Sequence, residues 1–169
     1  LRNINIDNLK IMWTGYSEPL LNKEFPEMVN YAFNLGIEQE ISTTLTGQES
    51  CIDFLCETSA ISKIMLHLPD NNSLMENGFL KVDEIYIKRL QKVLRIFNRK
   101  NHPIIKLICF GEDYHPDIKA IIGDKKYSDK LGSNKARKYL GSRSGAINSL
   151  LPGIIAGKIG SFFVAGTRK

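Results

Sequence analysis

Four short apolar runs recur along this chain, and each is followed by an amphipathic stretch long enough for a helix. Leu9–Gly15, Ile37–Leu45, Ser62–Pro69 and Pro103–Gly111 read as strands. Parallel neighbours need a crossover that returns the chain to the same end, and strand–helix alternation supplies one each time. The pattern therefore predicts an α/β fold with a parallel sheet whose strands follow the order of the chain. An open doubly wound sheet and a part of a barrel both satisfy it. In both, function gathers beyond the C-terminal ends of the strands.

Local signals set the boundaries. Asn22 is placed to cap the first helix, and Pro26 falls in its first turn. Phe25, Met28, Val29 and Ala32 share a face, and Gly36 is placed to end the helix. Gln48–Glu57 reads as a short helix burying Cys51, Ile52 and Leu55. Val82–Arg99 is the clearest helix, with Tyr86, Leu90, Val93, Leu94 and Phe97 on one stripe. Another is expected near Pro116–Ile122. Asp70–Gly78 is polar and turn-rich and reads as a loop on the functional side. The glycine-rich end, from Gly141 to Gly166, reads as loops with one strand at Ser161–Ala165.

The 169 residues suit one domain with a real core. No apolar run approaches the roughly 20 residues of a membrane helix, and no basic-then-apolar leader opens the sequence. Cys51, Cys56 and Cys109 are odd in number and form no disulfide framework, so a reducing, cytoplasmic setting is expected. The net charge of +5 is local: residues 124–143 hold seven Lys/Arg against two Asp, and the rest of the chain balances. A solvated helix and loop is the favoured reading of that segment, ahead of a wall facing an anionic substrate or nucleic acid. Position 1 is Leu rather than Met, which suggests a processed chain or a piece of a longer one.

The expected strand ends are Gly15–Pro19, Thr43–Gly47, His67–Asn71 and Cys109–Asp113, and they form one rim. On it, "TGYSEP" sets Glu18 before Pro19 just where a strand has ended. Gly15 permits close backbone approach, while Pro19 removes a donor and fixes the turn. Glu18 offers either charge to a ligand or a hydrogen bond to a neighbouring loop. As a charge on an exposed loop it is expected to add little stability. His67, His102 and His115 make no spaced metal set, and His67 alone falls on the rim. No Gly-x-x-x-x-Gly-Lys-Ser/Thr phosphate loop or Gly-x-Ser-x-Gly elbow occurs. Trp13, Tyr16 and Tyr31 are expected to pack rather than to form a stacking platform.

These residues carry a resemblance. "WTGYSEPLLNKEFPEMVNYAFNLGI" closely resembles the second strand–helix unit of radical S-adenosylmethionine (SAM) enzymes, where a strand ends in Gly-Gly-Glu-Pro. Ser17 stands where the second glycine usually does. "ISTTLTG" is similar to the next strand's end, commonly Thr-Asn-Gly, with Leu45 and Thr46 departing from the asparagine. "KIMLHLPD" resembles the following strand, with His67 at a position often held by serine. "SRSGAIN" (Ser142–Asn148) resembles the Ser-Arg-Ala-Gly-Asn segment of SPASM-type members, which continue into a cysteine-rich extension.

The resemblance implies a partial (β/α) barrel of parallel strands over residues 1–140 and a glycine-rich connector over 141–169. It implies that Gly15, Tyr16, Ser17, Glu18 and Pro19 cradle SAM, with Thr43 and His67 reaching its ribose or carboxylate. Arg143 is expected to meet a carboxylate, either the ligand's or one in a structural salt bridge. The implied activity is that of an oxidoreductase in which SAM is cleaved beside a four-iron four-sulfur cluster. The resulting 5′-deoxyadenosyl radical then abstracts hydrogen from a peptide or small-molecule substrate, with an electron donor as partner. The cluster needs three thiolates spaced Cys-x-x-x-Cys-x-x-Cys, and this chain lacks them. The ligands are therefore expected outside it. The alternative is a cluster-less α/β module binding a nucleotide or a protein partner.

Overall fold

The computed structural model describes residues 9–131, leaving aside residues 16, 76, 77, 110 and 112 and the side chains of 125, 128 and 129. The chain runs through β1 (Lys10–Trp13), α1 (Phe25–Asn34), β2 (Glu38–Thr43), α2 (Glu49–Glu57) and β3 (Lys63–Leu68). A two-stranded hairpin follows, β4 (Leu74–Met75) with β5 (Gly78–Phe79), then α3 (Glu84–Leu94), β6 (Ile104–Cys109), α4 (Pro116–Ile122) and α5 (Lys125–Leu131). Strands β1, β2, β3 and β6 pair in parallel in that order. The α/β class, the parallel pairing and the chain order are as the sequence leads one to expect.

Every step across this sheet goes the same way. Right-handed crossovers then deposit all the helices on one face. The packing agrees: α1 lies on α2, α2 on α3, and α3 on α4. One row crosses all four strands on that face, pairing Trp13 with Ile41, Ile41 with Ile64, and Ile64 with Ile105. All four are buried, and Trp13 meets Phe25 of α1 edge to face at 5.6 Å.

The neighbouring row, Met12, Glu40, Lys63 and Ile104, turns to the other face. Glu40 is 5% exposed and bridges Lys10 (2.6 Å) and Lys63 (2.8 Å). Burial pushes its carboxyl up, and the two lysine hydrogen bonds more than offset this, holding it below the ordinary value. Parallel strands usually read as unbroken apolar runs because both faces are covered. Here charged residues on one face mark where helices do not lie.

Several boundaries differ from expectation, for local reasons. Asn22 does not cap α1; it ends a 3₁₀ turn at Pro19–Leu21, its side chain takes the Glu24 amide, and Glu24 holds the cap position. Gly36 follows α1 with φ +75°, as its placement suggests. The long helix begins after Asp83, whose carboxylate accepts from the Tyr86 amide, and tightens into a 3₁₀ turn over Arg95–Asn98. The supposed loop after β3 contains the β4–β5 hairpin. Asp70, 5% exposed, accepts from the amides of Asn72 and Leu74 and so shapes its start. Tyr31, expected to pack, is 69% exposed.

Candidate functional site

The first crossover places Glu18 just beyond β1, and the parallel register brings the exit of β2 alongside. Gly15 turns the chain with φ +148°, a value that favours glycine. Pro19 then opens the 3₁₀ turn, and Glu18 caps it, its Oε1 accepting from the Leu20 amide at 3.2 Å. The same oxygen accepts from the Thr43 hydroxyl at 2.6 Å. Oε2 accepts from both the amide and the hydroxyl of Thr44, each at 2.6 Å. Glu18 is thus a tie between two strand ends. The expectation of a solvated charge with little structural weight is corrected: four donors converge on this carboxylate.

The β2 exit loop is held at further points. Leu45 is wholly buried with φ +62°, strained for a branched residue. Its amide donates to the Thr43 hydroxyl, and its carbonyl accepts from Arg89 of α3 at 3.2 Å. The Gln48 amide donates to the Leu20 carbonyl at 2.8 Å. Gly47 lies so close to Leu20 that a Cβ would sit 2.1 Å from its Cβ and 2.4 Å from its carbonyl carbon. Behind the tie, the Tyr86 hydroxyl is buried with no hydrogen-bond partner among the described residues. Burial, then the Glu18 charge, pushes its phenol well up, so it stays protonated.

These loops enclose a cleft of about 410 Å³ at the C-terminal strand ends, within the size range of small-molecule sites. Gly15, Ser17, Glu18, Pro19, Thr43 and His67 all line it. Thr44 and Thr46, in the Thr43–Gly47 strand end expected on the rim but not singled out there, line it too, and the sequence reading missed Ser42. Ser42 shares a 2.7 Å hydrogen bond with His67 Nε2, and the Thr46 hydroxyl meets that of Thr44 at 2.8 Å. Alternation along Ile37–Leu45 held the signal for Ser42, because Ile41 and Thr43 face the helices. The hairpin and its exit contribute Met75, Phe79 and Leu80 to the lining. Tyr16, Arg143, residues 132–143 of the basic segment, the 141–169 connector and the Ser161–Ala165 strand lie outside the described residues.

The cysteines do not converge. Cys51 is buried in α2 and donates to the Asn22 carbonyl. Cys56 is half-buried on the same helix, its thiol pushed up by burial to about 11. Cys109 ends β6 buried and donates to the Asp113 carbonyl; burial raises it too. Thiolates are the ligands an iron–sulfur cluster needs, and these three thiols sit on α2 and at the end of β6 rather than in one group. Among the described residues no three His, Cys, Asp or Glu form a group able to hold a metal ion. The residues present do not fit the cluster. Hydroxyls, backbone and a φ > 0 glycine gather around one cleft, able to hydrogen-bond a small polar ligand. No described helix is long and apolar enough to cross a membrane. No protein-family model, curated protein or solved structure matches the chain.

Proposed function

We propose that the strand-end cleft binds SAM and that the chain is part of a radical SAM enzyme whose sheet is a partial (β/α) barrel. The single observation behind this reading is the Glu18 tie: the Glu-Pro of the resembling motif locks the exits of β1 and β2 around a hydroxyl-lined cleft. The unreversed strand order with helices on one face supports the barrel form. When bound, SAM supplies the radical chemistry of the family. This chain's own residues orient it: the Gly15 turn gives backbone access, and Ser42, Thr44, Thr46 and His67 offer hydrogen bonds. The cluster ligands and the electron donor come from outside the described residues.

The separated thiols favour one second reading, a cluster-less module that binds a nucleotide or a partner protein in the same cleft. Anaerobic reconstitution separates the two. Residues 1–169 alone are expected to hold no stoichiometric iron. A longer protein carrying this chain behind a three-thiolate motif should hold a cluster and cleave SAM to 5′-deoxyadenosine under reduction. A reduced, cluster-loaded protein that leaves SAM intact would overturn the radical SAM reading.

A further inference from the structure

The cleft mixes two chemistries. The hydroxyls of Ser42, Thr44 and Thr46 line it with His67, and so do the apolar Met75, Phe79 and Leu80 of the hairpin and its exit. Met75 is buried, whereas Phe79 is 72% exposed, and its partner across the hairpin, Leu74, is 43% exposed. A lone exposed aromatic is unremarkable, but this one lines a cavity that several hydroxyls also line. A hydroxyl wall suits a sugar, and an open aromatic face suits a planar ring, which prefers offset or edge contact with it. Phosphate groups are ordinarily met by Lys, Arg or a helix N-terminus. Among the described residues no Lys or Arg lines this cleft, and Glu18 stands in it.

We propose that the β4–β5 hairpin is a ring-stacking wall and that the cleft selects a nucleoside without phosphates, its base against Phe79 and its sugar toward Ser42 and Thr44. The proposal rests on the SAM reading and extends it. It assigns a residue outside the resembling motifs to the base, and it separates SAM from nucleoside phosphates as occupants.

The test is calorimetric titration of residues 1–169 with SAM, adenosine and ATP. The wild type should bind SAM and adenosine and bind ATP more weakly than adenosine. Phe79→Ala should weaken SAM and adenosine roughly 5- to 150-fold, the range for loss of an aromatic–base stack. Phe79→Trp should retain binding, and Tyr31→Ala, an exposed aromatic on α1 away from the cleft, should leave it unchanged. Thermal melts of both Phe79 variants should match the wild type, since the side chain is largely exposed. SAM affinity unaltered in Phe79→Ala would overturn the stacking wall and leave the SAM reading standing. ATP binding tighter than adenosine would overturn the phosphate-free selection. No binding of either SAM or adenosine by the wild type would overturn the SAM reading together with the wall.

Discussion

Glu18→Ala is expected to destabilise residues 1–169 by about 3 kcal/mol and to remove SAM binding with it. Hydrogen bonds to a charged group contribute about 1.5–3 kcal/mol each, less where water competes, and Glu18 accepts four. Alanine would leave the amides of Leu20 and Thr44 without acceptors and free the β2 exit from the β1 exit. Calorimetry should record a fall in melting temperature of roughly 6–12 °C, at about 2–4 °C per kcal/mol for a chain of this size. Glu18→Gln keeps one acceptor oxygen and should lose about half as much. A melting temperature unchanged in Glu18→Ala would mean that the tie carries no weight.

Gly47→Ala should cost more, at least about 3 kcal/mol. The new Cβ would overlap Leu20 at 2.1 Å and its backbone at 2.4 Å. Leu20 is wholly buried and its carbonyl holds the Gln48 amide, so neither loop can yield without breaking that bond. Overpacking usually costs about 1–3 kcal/mol when side chains can shift; here backbone meets backbone. Gly36→Ala is the contrast, because nothing lies within 4 Å of its Cβ position and only the φ of +75° opposes it. It should cost about 1 kcal/mol. Equal losses from the two substitutions in urea denaturation would contradict the close approach at Gly47.

The fold was legible where periodicity and length agree. Four apolar runs with helical stretches between them determine strands, helices and parallel pairing, because few alternatives bury those faces. Residues that act through distant partners were hidden. A hydrogen bond from a neighbouring loop to Glu18 was one expected role, but only the register shows that Thr43 and Thr44, 25 and 26 residues on, supply it. The Lys10–Glu40–Lys63 chain of charges needs the register of three strands before it can be seen. The hairpin was concealed by polar, turn-rich composition, since two-residue strands carry no period. Leu45 is a different case. Its left-handed backbone, φ +62°, had no signal in the sequence, because a branched apolar residue ordinarily avoids that region.

The rim also explains why fold and site are hard to separate here. The loops that line the cleft are tied to the core by Leu20, Leu45 and Arg89 rather than extending freely into solvent. Such pre-organisation lowers the ordering cost that a ligand would otherwise meet on binding. It also means that substitutions at the ties must be read with both a melt and a binding measurement.

The most direct test of SAM binding at the strand ends is amide chemical-shift mapping of ¹⁵N-labelled residues 1–169 during a SAM titration. Saturable shifts are expected at Gly15, Ser17, Thr44, Thr46 and His67, with little change along α1 and α2. Shifts that fail to saturate, or that centre on the charged sheet face around Lys10, Glu40 and Lys63, would contradict SAM binding at the strand ends.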